Sequence, residues 1–314
     1  MNAAVLFLVF NRPDTTRRVF EAIRAARPSR LYVAADGPRA SRPDEAARCT
    51  LVRQIATAVD WPCEVKTLFR DENLGCRHGV SGGIDWFFDQ EEEGIILEDD
   101  VLPQPSFFPY CEALLSRYRN DASVSMISGC NLLGPSHQAA ASYFFSRYMH
   151  IWGWASWRRA WTHYDVDMGG WPGSESAAKL DRLLGGRKNA IRYWAKIFDR
   201  VQGGEIDTWD YQWLFAAWMN DMVAVIPSHN LVENLGFGAD ATHTTGAVPA
   251  AVLAASASDI VFPLRDPVRG PTGPVDAEIE RSVLEITALM QAKTTFRQLP
   301  LVRHLASIYR NATH

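Results

Sequence analysis

The chain has 314 residues, 47% hydrophobic and 22% charged, with a formal charge of −4. This is the composition of an ordinary soluble globular protein, with enough chain for one large domain or two small ones, and the acidic balance gives no reason to expect a nucleic-acid partner. Its five cysteines (Cys49, Cys63, Cys76, Cys111 and Cys130) include no C-x-x-C pair, which argues against a zinc site and for reduced thiols in a cytoplasmic protein.

The apolar start from Ala3 to Phe10 is too short to span a membrane and ends in Asn11-Arg12-Pro13. It reads as a strand over Val5–Phe10 and not as a signal peptide. Asp14 is placed to cap a helix carrying Val19, Phe20 and Ile23 on one side. Leu31–Ala35 is the next strand and ends at the turn signal Asp36-Gly37-Pro38. A helix with Leu51, Ile55 and Ala58, a strand over Cys63–Phe69, a helix over Gly79–Asp89 and a strand over Ile95–Leu97 follow. This alternation predicts a mainly parallel, doubly wound α/β sheet with right-handed crossovers.

The most informative feature comes next. The apolar run Gly94-Ile95-Ile96-Leu97 opens directly onto Glu98-Asp99-Asp100. Like charges at the end of a buried strand repel one another, and a cation or donor groups must offset that cost. Carboxyl ends of strands are also where open α/β sheets bind ligands. The pattern therefore points to a divalent metal, Mg²⁺ or Mn²⁺, holding a phosphorylated substrate. The alternative is a solvated acidic turn.

Beyond Asp100 the rhythm changes. Ser106 is placed to cap a helix with Phe107, Phe108, Cys111, Leu114, Leu115 and Tyr118, and Ser123–Ser128 reads as a strand. A Trp-rich segment over 148–161, helices near 187–202 and 209–220, and a strand over Met222–Ile226 follow. Residues 239–275 read as loop or lid, 276–291 as helix, and Phe296 to Tyr309 as a basic amphipathic helix. That last helix suits peripheral contact with anionic lipid or ordinary packing on the domain.

Several motifs compete for a role. No G-x-G-x-x-G or G-x-x-x-x-G-K-[ST] occurs, so phosphate has to be held by metal and side chains. Gly79-Val80-Ser81-Gly82-Gly83 matches the nucleophile-elbow pattern, but the polar stretch Arg70–His78 before it is no strand, and small residues there suit close helix–sheet packing. Asp165-Val166-Asp167 follows no buried strand and reads as a surface loop. Asp210 lies at the start of an apolar helix that Asp207 or Thr208 can cap. It is either a complement to the helix dipole or a general base. His243, in the Gly236–His243 stretch, is either a surface histidine or a third ligand on a mobile loop.

Together these segments resemble a GT-A-fold glycosyltransferase, most nearly the N-acetylglucosaminyltransferase I family and a bacterial group often labelled haemolytic-protein-like glycosyltransferases. The resemblance runs over residues 5 to 245 or so. It is carried by Phe10-Asn11-Arg12-Pro13, Ala35-Asp36-Gly37-Pro38, Asn73-Leu74-Gly75-Cys76-Arg77-His78, Ile96-Leu97-Glu98-Asp99-Asp100, Trp152-Gly153-Trp154, Trp209-Asp210-Tyr211-Gln212-Trp213 and the Gly238–His243 loop. It implies a GT-A-like, Rossmann-related domain over 1–245, with a nucleotide-sugar-binding half over about 1–112 and an acceptor half over 113–245. Residues 246–314 form a loop and a C-terminal helical extension.

The resemblance also implies roles. Asp100 ligates Mn²⁺ or Mg²⁺, joined by His243 if that histidine is a ligand, with Glu98 and Asp99 near the metal waters and the donor's ribose or sugar. Arg12 lies by the nucleotide phosphates, Asp36 faces the nucleobase edge and His78 lies beside the base. Trp152-Gly153-Trp154, Trp154 in particular, shapes the donor-sugar and acceptor pocket, and Asp210 is the base of an inverting transfer. The donor implied is UDP-linked, and the acceptor a glycan or lipid-linked glycan in cell-surface polysaccharide synthesis. Asn11 departs from the eukaryotic pattern, which has an acid there. The rival expectations are a nucleotidyltransferase, a non-catalytic nucleotide-sugar- or glycan-binding protein of the same fold, and a membrane-active protein working through the C-terminal helix.

Overall fold

The computed structural model describes residues 1–134, 141–236, 255–270 and 272–286. Its central sheet is built on β1 (Ala4–Val9), all six residues of which are buried. β1 pairs in parallel with β2 (Arg30–Ala35) on one side and β4 (Glu93–Glu98) on the other, and β3 (Glu64–Phe69) pairs in parallel with β2. With both faces of β1 covered, alternate residues enter different cores. Ala4, Leu6 and Leu8 join one, and Val5, Phe7 and Val9 join the other.

Three crossovers link these strands: α1 (Pro13–Ala26), α2 (Glu45–Ala56) and α3 (Gly75–Phe88). In α1 the buried positions Thr16, Val19, Phe20 and Ile23 keep the helical period. Arg12 occupies the N-cap position and Pro13 opens the helix, so Asp14 sits in its first turn and does not cap it. α3 begins four residues before the expected Gly79.

The second half of the sheet mixes directions. β6 (Val124–Ser128) and β9 (Val223–Pro227) are parallel to each other. β8 (Trp154–Trp157) runs antiparallel between β4 and β6, and β7 (Tyr143–Ser146) runs antiparallel beside β9. The order is β3-β2-β1-β4-β8-β6-β9-β7. The expected parallel unit is therefore present through β4, and the sheet as a whole is a mixed α/β layer flanked by helices. A separate ribbon pairs β5 (Val101–Pro103) with β10 (Val232–Asn234).

Helix α4 (Phe107–Tyr118) packs under β8 and β4. Ser106 does not cap it. Its hydroxyl accepts from the Ile260 N–H at 3.0 Å, while its own N–H donates to Asp259 at 2.9 Å. Those contacts fasten residues 255–270 as an extended strap, also tied at Ser142 and Arg265. The described part of the expected lid is thus bound to the body of the fold. The remaining helices are α5 (Arg158–Trp161), α6 (Ser174–Leu183), α7 (Lys188–Gln202), α8 (Asp210–Met219) and α9 (Gly273–Ser282). His243 and the helix expected over Phe296–Tyr309 lie outside the described residues. No helix among the described residues is long and apolar enough to cross a membrane.

Candidate active site

A cleft of about 490 Å³ opens where β1, β2 and β4 end. The structure brings Arg12, Asp36, Glu98, Asp99, Asp100 and Asp210 to its walls. Glu98 ends β4, Asp99 and Asp100 form the turn into β5, and burial rises inward from half-buried Asp100 to Asp99, 6% exposed. The Phe10 N–H donates to Asp99 Oδ2 at 2.9 Å. The Arg12 guanidinium pairs with Asp100 and lies 3.7 Å from Asp99 Oδ1.

One arginine does not neutralise this cluster. Burial, then the neighbouring Asp100, Asp99 and Asp210, push the Glu98 carboxyl well above its ordinary range, with Arg12 pulling the other way. Burial and the Asp100 charge likewise push Asp99 up to about 7, against Arg12 and the Phe10 N–H. Protonation is one relief for such crowding, and a hard cation is the other. The donor set fits Mg²⁺ or Mn²⁺ in chemistry, being all carboxylate oxygen. No group of three or more acidic, histidine or cysteine side chains among the described residues is arranged to hold a metal ion by itself. An ion would therefore take one or two carboxylates here, with phosphate oxygens and water completing its shell, the usual pattern for Mg²⁺.

The chain closes over Asp100 from the other side. The Leu235 N–H donates to the Asp100 carbonyl at 2.7 Å. At Gly236 a Cβ would fall 2.2 Å from Asp100 Oδ2. Only a residue without a side chain leaves room for the carboxylate there.

Asp36 lines the cleft and also closes a turn. Its carboxylate accepts from the N–H groups of Gly37, Leu74 and Gly75 and from the Asn73 amide, at 3.0 to 3.2 Å. It closes the 72–75 turn onto the end of β2. His78 stands apart from the cleft lining. It is exposed on α3, whose Gly75, Cys76, Gly79 and Val80 line the cleft. The helical period turns residue 78 away from that face.

Trp154 is corrected to Trp152. Gly153 has φ +59 and reverses the chain, so Trp152 lines the cleft while Trp154 enters the core at 0% exposure. The Trp154 ring stacks on Trp209 at 5.7 Å, and Trp161 packs on Trp213 at 5.1 Å. This aromatic layer fixes the start of α8 against β8, and so places Asp210. Thr208 Oγ1 donates to Asp210 Oδ1.

The sequence offers Asp207 only as a cap of α8 and gives no signal at Glu45. Asp207 caps no part of α8. Its two carboxylate oxygens accept from the N–H groups of Cys76 and Arg77, each at 3.0 Å, at the N-terminus of α3. A carboxylate there satisfies orphan amides and complements the helix dipole. It ties the Asp210 segment to the β1–β4 half, and Arg77 reciprocates by donating to the Val201 carbonyl near the end of α7. Asp207→Ala is expected to lower unfolding free energy by about 1 kcal/mol, the usual worth of such a cap, in urea denaturation.

Glu45 is fully buried beneath the Asn11–Arg12 turn. It accepts from the Asn11 amide at 2.7 Å and the Arg39 N–H at 2.7 Å, and pairs with the Arg39 guanidinium. An acid at position 11 would repel Glu45, which gives Asn11 its physical reason. Burial favours the neutral acid, but the Arg39 and Asn11 bonds outweigh it and hold the Glu45 carboxyl down at about 2. A lowered folded-state pKa stabilises above the unfolded value and loses that contribution as pH falls through the folded value. The stability difference between wild type and Glu45→Gln is therefore expected to shrink by on the order of 3 kcal/mol from pH ~5 to pH ~2, read from urea unfolding.

The other motifs resolve simply. Ser81 is 3% exposed and donates to the Arg77 carbonyl at 2.7 Å, so no nucleophile elbow exists. At Gly83 a Cβ would lie 3.0 Å from Leu8, the close helix–sheet packing expected of small residues. Asp165 caps its own loop through the N–H groups of Asp167 and Gly169, and does not line the cleft.

No protein-family model matches the chain, and no curated protein is similar in sequence. Among solved structures, mouse xyloside xylosyltransferase 1 superposes with a TM-score of 0.35 at 8% identity, over 71% of this chain and 84% of that one. HddC from Yersinia pseudotuberculosis gives 0.31 at 9%, over 55% and 80%. A UDP-glucose pyrophosphorylase complexed with UDP-glucose gives 0.27 at 12%, over 46% of this chain and 62% of its own. At such scores nothing about this chain's chemistry follows from them.

Proposed function

We propose that the chain is a metal-dependent glycosyltransferase that moves a sugar from a nucleotide-sugar, UDP-linked, to a glycan or lipid-linked acceptor in cytoplasmic assembly of a cell-surface polysaccharide. The observation that carries this reading is the carboxylate cluster at the end of β4 sharing one cleft with Asp210. Arg12 and Asp100 meet the diphosphate end of the donor, and Glu98 and Asp99 its ribose or sugar. A divalent ion held through Asp100 supplies charge stabilisation to the departing diphosphate. Asp210 accepts the proton of the acceptor hydroxyl as its oxygen bonds to the anomeric carbon. The bond from that carbon to the diphosphate breaks with its electron pair, leaving a nucleoside diphosphate and an inverted linkage. The turn from β1 into α1 contains Asn11, Arg12 and Pro13 and no glycine, which makes it poor for the phosphate loop a nucleotidyltransferase needs.

Isothermal titration with UDP, GDP, CDP and TDP, each with and without Mn²⁺, tests the proposal. Binding of UDP only with metal is the expected result. Absence of binding by all four nucleotides would overturn both the donor site and the metal role.

A further inference from the structure

The Arg12 guanidinium stands where a cation at Asp100 would contest its place. Its backbone is anchored at the start of α1, where the Arg12 carbonyl accepts from the Thr16 N–H at 3.0 Å and the Thr16 hydroxyl at 2.6 Å. Its side chain, 21% exposed, pairs with Asp100 and lies 3.7 Å from Asp99. Burial disfavours that charge, but Asp99 and Asp100 outweigh it and hold the guanidinium above its ordinary range. A guanidinium keeps its proton in any protein setting. Beside a divalent cation on Asp100 it is therefore a like charge at close range, and only movement relieves the repulsion.

A diphosphate supplies the reason to move. Its oxygens suit the planar, bidentate geometry of a guanidinium, and the flexible stem can turn while the anchored backbone stays. Resting on the reading of the cleft as a metal–diphosphate site, we propose that Arg12 is an exchangeable counter-ion, paired with Asp100 until a nucleoside diphosphate draws it away and leaves that carboxylate to the metal. Metal alone must compete with Arg12, and nucleotide alone must compete with Asp100. The two ligands together relieve both conflicts, so each tightens the other by the same factor.

Arg12→Met is the test, since it removes the charge and leaves the carbonyl bonds to Thr16 in place. It is expected to bind Mn²⁺ alone at least ~10-fold more tightly than wild type, the least effect of removing a like charge so near. It is expected to bind UDP in the presence of Mn²⁺ ~10–100-fold more weakly, through loss of a hydrogen bond between charged groups. Paramagnetic resonance of free Mn²⁺ reads the first and isothermal titration the second, in mildly alkaline buffer where protons compete least for the carboxylates. Circular dichroism checks the fold. Wild type supplies an independent reading: UDP is expected to tighten Mn²⁺ binding within the ~5–150-fold range of coupled sites. Equal Mn²⁺ affinity with and without UDP overturns the exchange. So does wild type that binds UDP with Mn²⁺ while Arg12→Met binds Mn²⁺ no more tightly, or UDP no more weakly, and the donor reading then stands. Wild type that binds no UDP at any Mn²⁺ concentration overturns the donor reading, and the exchange with it.

Discussion

Asp100→Ala is expected to weaken Mn²⁺-dependent UDP binding by at least ~10–100-fold, the range for losing even an outer partner of a bound metal. In wild type the crowded Glu98, Asp99 and Asp100 are offset by Arg12 and, at Asp99, by the Phe10 N–H. Adding Mn²⁺ should therefore raise the melting temperature, because a cation that binds only the folded chain stabilises it by mass action. In Asp100→Ala that upshift should vanish. The metal-free variant should melt close to wild type, for two effects oppose each other. Arg12 loses a partner but keeps Asp99, 3.7 Å away, and the remaining carboxylates lose a repelling neighbour. A purely structural Arg12–Asp100 pair predicts the reverse pattern: lower stability without metal and an unchanged response to Mn²⁺. Thermal melts and titrations on one preparation separate the two, and Mn²⁺ and nucleotide binding as tight as wild type would sink the metal assignment.

What the sequence made legible follows from how local each cause is. β1 and β4 are buried on both faces, so their apolar runs announce strands without reference to partners. The charge cluster behind Leu97 is equally local. β8 is four residues long and gains its structure from the strands beside it, so its tryptophans read only as part of a Trp-rich segment, and the equally short β7 has no signal of its own in the sequence. The place of His78 is a matter of phase. Starting α3 at Gly79 instead of Gly75 leaves its cleft-facing side undetermined, and Asp207, which fixes that earlier start, lies 131 residues from Cys76. The Trp152–Trp154 exchange turned on a single positive φ at Gly153. Asp36 was found as a motif but not as a turn closure, since its donors come from residues nearly forty positions away.

Asp210→Asn is expected to lower turnover by ~10²–10⁴-fold, the usual contribution of a positioned general base, with UDP affinity in the presence of Mn²⁺ unchanged. The substitution is near-isosteric. An asparagine oxygen still accepts from the Thr208 hydroxyl, and the Trp154–Trp209 stack that sets the start of α8 is untouched. The competing reading, in which Asp210 only complements the dipole of α8, makes a different prediction. Losing that charge costs about 0.3–1 kcal/mol of stability and leaves turnover intact. Urea unfolding reads the first quantity and release of UDP in the presence of an acceptor reads the second. A carboxylate in the wall of the cleft can lose its proton-accepting capacity while the Thr208 contact described above remains. Wild-type turnover in Asp210→Asn would remove the base from the proposed reaction and leave the cluster at the end of β4 as a nucleotide-binding site without one.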